Sequence, residues 1–140
     1  LHRVKNFLQD QSLIYYGDVY YMKSNIIYDG EFDLNKIIEK NICQQSIFYP
    51  KKIFRYYNFN LKYKILADYD LNLRLWGEGK FIFEYIPVLV AKFNDKGLSG
   101  SIIDEDFHKD KPNILISNFG IRILFNKAIN KLKYLISTRS

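Results

Sequence analysis

The stretch from Lys64 to Trp76 (KILADYDLNLRLW) constrains this chain more than any other. It reads as the start of a helix with acid packed into its first turn. Asp68 stands at an N-cap or first-turn position, and Asp70 follows within the same turn. Free backbone N–H groups and the positive end of the helix dipole favour carboxylates there. Tyr69, Leu73 and Trp76 fall at i, i+4 and i+7, which makes one apolar face. Asp70 and Arg74 are four apart and can pair along the helix, while Asp68 and Asn72 share another side. Asp68 therefore has two readings. It is a helix-capping carboxylate, or it is a rigidly held general base.

Around this helix the pattern alternates between strand and helix. Residues 1–10 read as a helix with Leu1, Val4, Phe7 and Leu8 on one face. Ser12 to Tyr16 reads as a buried strand, broken at Gly17-Asp18 and resumed from Val19 to Lys23. Asp18 is read as a turn residue rather than a ligand. Asp29-Gly30 marks a turn, with a short hairpin onto the preceding strand. Leu34 to Lys40 is a short helix capped by Asp33. Ile42 to Tyr49 is a strand interrupted by Gln44 and Gln45, and Pro50 opens a short helix to Tyr57. A loop of aromatics and lysines, Phe59 to Tyr63, leads to the central helix, which ends at Gly77-Glu78-Gly79. Lys80 to Phe93 is extended, and Pro87 within it argues for an edge position or two separate strands.

Beyond it lies a Gly/Ser loop from Asn94 to Ser101, then an acidic run with Asp104, Glu105, Asp106, His108 and Asp110. Carboxylates beside a histidine invite a metal, but a solvated helix or loop is the commoner reason for such a run. Pro112 punctuates the chain. Asn113 to Ile136 reads as a basic amphipathic helix, interrupted at Gly120, with Ile121, Leu124, Phe125, Ala128, Leu132 and Leu135 on one face. Such a helix covers its own core or lies on an anionic membrane.

Several of these segments, taken together and in order, resemble the second half of a family 2 glycosyltransferase with the GT-A fold. They are Asn41 to Phe54 with its Gln44-Gln45 pair, Phe59 to Lys64, Ala67 to Arg74, and Gly97-Leu98-Ser99. That family shows a His-Gln pair opening a strand, an aromatic-rich stretch, an Asp-Tyr-Asp-Leu-x-Leu-Arg helix and a Gly-Leu-Ser loop. Bacterial enzymes that build exopolysaccharide, capsule and lipopolysaccharide are the nearest in kind. The resemblance covers roughly residues 12–100.

The resemblance implies an α/β fold: the acceptor-side, C-terminal part of a nucleotide-diphospho-sugar transferase, with a mixed sheet flanked by helices. Residues 1–112 would form this partial domain, without the nucleotide-binding half, and residues 113–140 an amphipathic tail. It implies an inverting transfer from a nucleotide-sugar donor to a saccharide or lipid-linked acceptor, with Asp68 as base. Gln44, Gln45, Asp70, Arg74 and Ser99 would serve the substrates. Position 44 is usually His in the family, and Gln cannot titrate near neutrality, so a hydrogen-bonding role is what carries over. A divalent cation, Mg²⁺ or Mn²⁺, is expected for the intact enzyme. Its Asp-x-Asp ligands would lie upstream of Leu1, so no metal ligands are assigned in this chain, and the chain alone is expected not to turn over. The opening on Leu1 rather than Met fits a piece of a longer protein, and a processed terminus reads the same way.

Composition sets the alternatives. A net charge of +6 favours anionic partners. The lysines are dispersed among tyrosines and acids, which counts against nucleic acid. The single Cys43 fits a reducing, cytoplasmic compartment, and no run approaches the ~18 apolar residues of a spanning helix. The competing reading is a non-catalytic basic module that binds a membrane surface or a partner through its C-terminal helix, peripheral on the inner face of the membrane.

Overall fold

The computed structural model describes residues 2–94, 103–125 and 128. A mixed sheet of four strands is flanked by helices. Its centre is β1 (Ile14–Tyr21). On one side β1 pairs antiparallel with β2 (Ile26–Tyr28) and β3 (Ile47–Phe48). On the other it pairs parallel with β4 (Phe83–Phe93) along its whole length. The sequence breaks β1 at Gly17-Asp18, yet the strand is continuous. The irregularity lies in β4 instead. Gly17 faces Ile86, Asp18 faces Leu89 and Val19 faces Ala91, so Pro87 and Val88 bulge out of register, and Val90 after them. Proline, which has no N–H for the ladder, is tolerated at such a bulge.

Gly17 is required by this arrangement. A Cβ there would stand 2.5 Å from Val90 Cγ2 and 2.7 Å from the Val88 carbonyl oxygen. Asp18 is not in a turn. It lies within β1 and reaches to the segment after β2, accepting the Gly30 N–H at 3.1 Å and the Tyr85 hydroxyl at 2.8 Å; the hairpin turn itself falls at residues 22–25 rather than at Asp29-Gly30.

Alternation along β1 sends Ile14 and Tyr16 into the main core and Tyr15 into a smaller cluster with Val4 and Ile86. The main core is built on α3 (Ala67–Glu78), whose Leu71, Leu73 and Leu75 are fully buried, with Tyr69 buried beside them. Trp76 rests on Phe83 at 4.6 Å, and Tyr69 stacks on Phe107 at 5.1 Å. Gly79 closes α3 in the left-handed conformation, as the Gly77-Glu78-Gly79 run predicts. Asp33 caps α2 (Leu34–Glu39), accepting the Lys36 N–H at 2.8 Å.

Other expectations are corrected as well. Helix α1 covers only His2–Lys5; Val4 is buried, but Phe7 lies beyond the helix and is 41% exposed. Residues 42–49 are mostly not strand. The Ser46 N–H and Oγ–H both donate to the Cys43 carbonyl, at 2.9 and 3.0 Å. This wraps Gln44–Ser46 into a 3₁₀ turn and leaves two residues for β3. Pro112 does not divide the chain. Helix α4 (Glu105–Phe119) runs through it and ends at Gly120. Pro112 is exposed, and Phe107 and Leu115 anchor the helix on either side of it. After Gly120, Ile123 is buried and Leu124 of the predicted apolar face packs against the core, whereas Ile121 and Phe125 of that face are exposed.

Candidate active site

Asp68 lies in the first turn of α3 but does not cap it; Leu66 occupies the N-cap position. The capping is done from α4. Asp104 Oδ2 accepts the N–H groups of Ile65 and Leu66 at 2.8 and 3.0 Å, while its Oδ1 accepts that of Phe107. Burial pushes the Asp104 carboxyl up, but these three backbone donors outweigh it and hold the group below the usual carboxylate range.

Asp68 itself lines a cleft of about 320 Å³. Tyr21, Tyr28 and Phe93 form its aromatic wall; Cys43, Gln44 and Gln45 form the polar side. Tyr21 packs against both Tyr28 and Phe93 at 5.1 Å. The side chain of Asp68 is largely buried, with 8% of the residue exposed. Burial raises its carboxyl above the ordinary range, and the Asn41 side chain and the N–H groups of Tyr69 and Asp68 pull it part of the way back. A carboxylate with raised proton affinity at the wall of a cleft is suited to accept a proton from an alcohol.

Asn41 Nδ2 donates to Asp68 Oδ2 at 2.8 Å. Asn72 Nδ2 donates to Asn41 Oδ1 at 2.9 Å, and the Tyr49 hydroxyl donates to Asn72 Oδ1 at 2.7 Å. Sequence reasoning placed Asn72 beside Asp68 on the helix but missed Asn41 and Tyr49 as its partners. They come from the loop after α2 and the turn after β3, and no local spacing signals the meeting.

The other sequence-predicted residues divide. Gln44 and Gln45 are both exposed on the 3₁₀ turn and line the cleft with Asp68. Asp70 and Arg74 pair as their spacing predicts, Nε to Oδ2 at 2.9 Å, and Arg74 also donates to the Asn58 carbonyl at 2.8 Å. They do not line the cleft. Ser99 lies outside the described residues. A larger groove of about 780 Å³, bordered by Lys51, Lys52 and Arg55, lies elsewhere. Its carboxylate, Asp10, is occupied by the Ser12 hydroxyl and N–H. The two cavities therefore differ in kind: the smaller one is lined by a buried carboxylate, the larger by an exposed one.

Among the described residues no group of three or more His, Cys, Asp or Glu side chains is placed to hold a metal ion. In the acidic run, Asp104 caps two helices and Asp110 accepts from Lys62 and Tyr63. No helix of the described residues is long and apolar enough to cross a membrane.

No protein-family model matches the chain, and no solved structure matches it. Over 129 residues it is 36% identical to the "PGL/p-HBAD biosynthesis glycosyltransferase" of Mycobacterium bovis (strain BCG / Pasteur 1173P2). The identity is the same to the protein so named in Mycobacterium tuberculosis (strain ATCC 25177 / H37Ra). Each match takes in 89% of this chain and 50% of the relative, so the chain spans about half the length of the curated relatives it matches. The carboxylate-bearing cleft thus belongs to a chain whose relatives are glycosyltransferases.

Proposed function

We propose that this chain is the acceptor-side part of an inverting GT-A glycosyltransferase of family 2, with Asp68 as its general base. One observation carries the reading: Asp68 is fixed in the first turn of a buried helix, is held by the Asn41 amide, and lines the cleft. In the reaction, an acceptor hydroxyl attacks the anomeric carbon of a nucleotide-sugar donor as Asp68 takes its proton. The bond from that carbon to the diphosphate breaks, and the nucleotide diphosphate leaves from the opposite face. Gln44 and Gln45 hydrogen-bond sugar hydroxyls at the cleft rim, and the Tyr21–Phe93 wall covers an apolar sugar face. The Asp70–Arg74 pair supports the helix that carries the base. A divalent cation bound outside this chain would neutralise the departing diphosphate. The acceptor is a saccharide or a lipid-linked one, as in the synthesis of cell-surface polysaccharide or glycolipid.

Titration of octyl and phenyl hexopyranosides into the chain, followed by NMR, tests this. Signals of Asp68, Gln44 and Gln45 are expected to move, and uridine or guanosine diphosphate sugars to bind weakly or not at all. Glycosides that perturb the Lys51–Arg55 groove and leave Asp68 unmoved overturn the assignment of the base. Full transfer by the 140-residue chain on its own overturns the division of labour.

A further inference from the structure

We propose that Asn41 is the positioning residue of Asp68, and that Asn72 and Tyr49 lock the Asn41 amide in the one orientation that serves an ionised base. The inference rests on the reading of Asp68 as base. An ionised carboxylate only accepts hydrogen bonds, so Asn41 must present Nδ2 to it. That leaves Asn41 Oδ1 to accept from Asn72 Nδ2, which in turn leaves Asn72 Oδ1 facing Tyr49, whose hydroxyl must donate. Reversing either amide sets N–H against N–H or oxygen against oxygen. Asn72 is fully buried, so water cannot repair such a mismatch.

The surroundings give this chain of bonds its weight. The other titratable groups lining the cleft are the Cys43 thiol and the Tyr21 and Tyr28 hydroxyls. Burial raises all three, so they are neutral near pH 7. Tyr49, at the far end, is also raised by burial, then by the charge of Asp68, and keeps its proton. No lysine or arginine lines the cleft among the described residues. The charge on Asp68 is therefore held by dipoles, of which the Asn41 amide is the one supplied by another side chain. Tyr49 does not touch Asp68, yet it fixes which end of the Asn72 amide is available to Asn41. The far end of this chain of bonds lies in the wall of the larger groove, which Tyr49 also lines.

The test is a ¹³C carboxyl titration of Asp68 in the full chain, compared with Asn41→Ala and Tyr49→Phe. Asn41→Ala is expected to raise the Asp68 midpoint by about one unit, the scale of a lost hydrogen bond to a buried carboxylate. Tyr49→Phe is expected to raise it by a smaller, resolvable amount. Tyr57→Phe, which removes a hydroxyl bonded to Glu78 on the far end of α3, should leave it unchanged. A midpoint unmoved by Tyr49→Phe overturns the proposal and reduces the chain of bonds to packing. Tyr49→Phe keeps the ring and decides the matter alone if Asn41→Ala does not fold. The two readings fail separately. Glycosides that leave Asp68 unperturbed sink the base, whereas unmoved midpoints sink the positioning role while the base stands.

Discussion

Asp104 Oδ2 accepts the Leu66 N–H at 3.0 Å across 38 residues of chain, so a carboxylate at the start of α4 also caps α3. One side chain thereby ties the starts of two helices together. Asp104→Ala removes both caps and is expected to destabilise the fold by about 2 kcal/mol or more, given roughly 1 kcal/mol per cap and buried N–H groups left unpaired. The sign of the pH dependence follows. The folded Asp104 carboxyl sits below its unfolded value, so its stabilisation is complete above about pH 4 and is lost as pH falls through the folded value. Urea denaturation of the wild type and Asp104→Asn should differ at pH 7 and converge as the pH drops below about 4.

Asp68 behaves in the opposite sense. Its folded carboxyl binds a proton more tightly than the unfolded one, so ionising it costs stability as pH rises from the unfolded through the folded value. Asp68→Asn removes that cost and keeps an oxygen for Asn41 Nδ2. The melting temperature at pH 7 is expected to hold or rise, while, on the proposed reading of Asp68 as base, proton transfer to position 68 is lost. Thermal denaturation checks the first half; a fall equivalent to more than about 1 kcal/mol would mark Asp68 as structural.

Gly17→Ala meets the bulge of β4. The added methyl presses on a side chain and on a backbone carbonyl, and about 2 kcal/mol of destabilisation is expected. The double variant Gly17→Ala/Val90→Ala should recover only part, because the Val88 carbonyl remains in place. Complete recovery in chemical denaturation would show that the backbone contact does not matter.

Arg74→Ala leaves Asp70, only 4% exposed, without its guanidinium partner. The loss should be about 2 kcal/mol, less than the 3–5 of a fully buried pair because Arg74 is part-exposed. Arg74→Lys should recover less than half, since an ammonium on a shorter reach cannot serve both Asp70 and the Asn58 carbonyl. Equal stability of the Lys variant and the wild type would remove the geometric part of this account.

Local chemistry made much of this legible. The Asp33 cap, the Gly79 terminus, the hairpin onto β1 and the Asp70–Arg74 pair all follow from residues within a turn or two of each other. What the sequence hid depends on distance along the chain. Asp104 reads as one acid in a run, because its partners are backbone groups 38 and 39 residues away. Asn41 reads as a connecting residue and Tyr49 as the end of a strand, because only the fold carries Asn41 to Asp68 and Tyr49 to Asn72. The Gln44-Gln45 pair reads as an interruption within a strand, whereas it sits on a 3₁₀ turn, since the Ser46 back-bond to Cys43 wins over strand pairing.

The crooked register of β4 has a bearing on solubility. Among the described residues that strand pairs with β1 alone, leaving its outer margin as the place where a foreign polypeptide could anneal. Pro87 has no N–H to offer any partner, and the offsets that follow break the regular register of the strand. An incoming segment would find no straight row of groups to zip onto, so the distortion that demands a glycine at position 17 also discourages fibrous self-association.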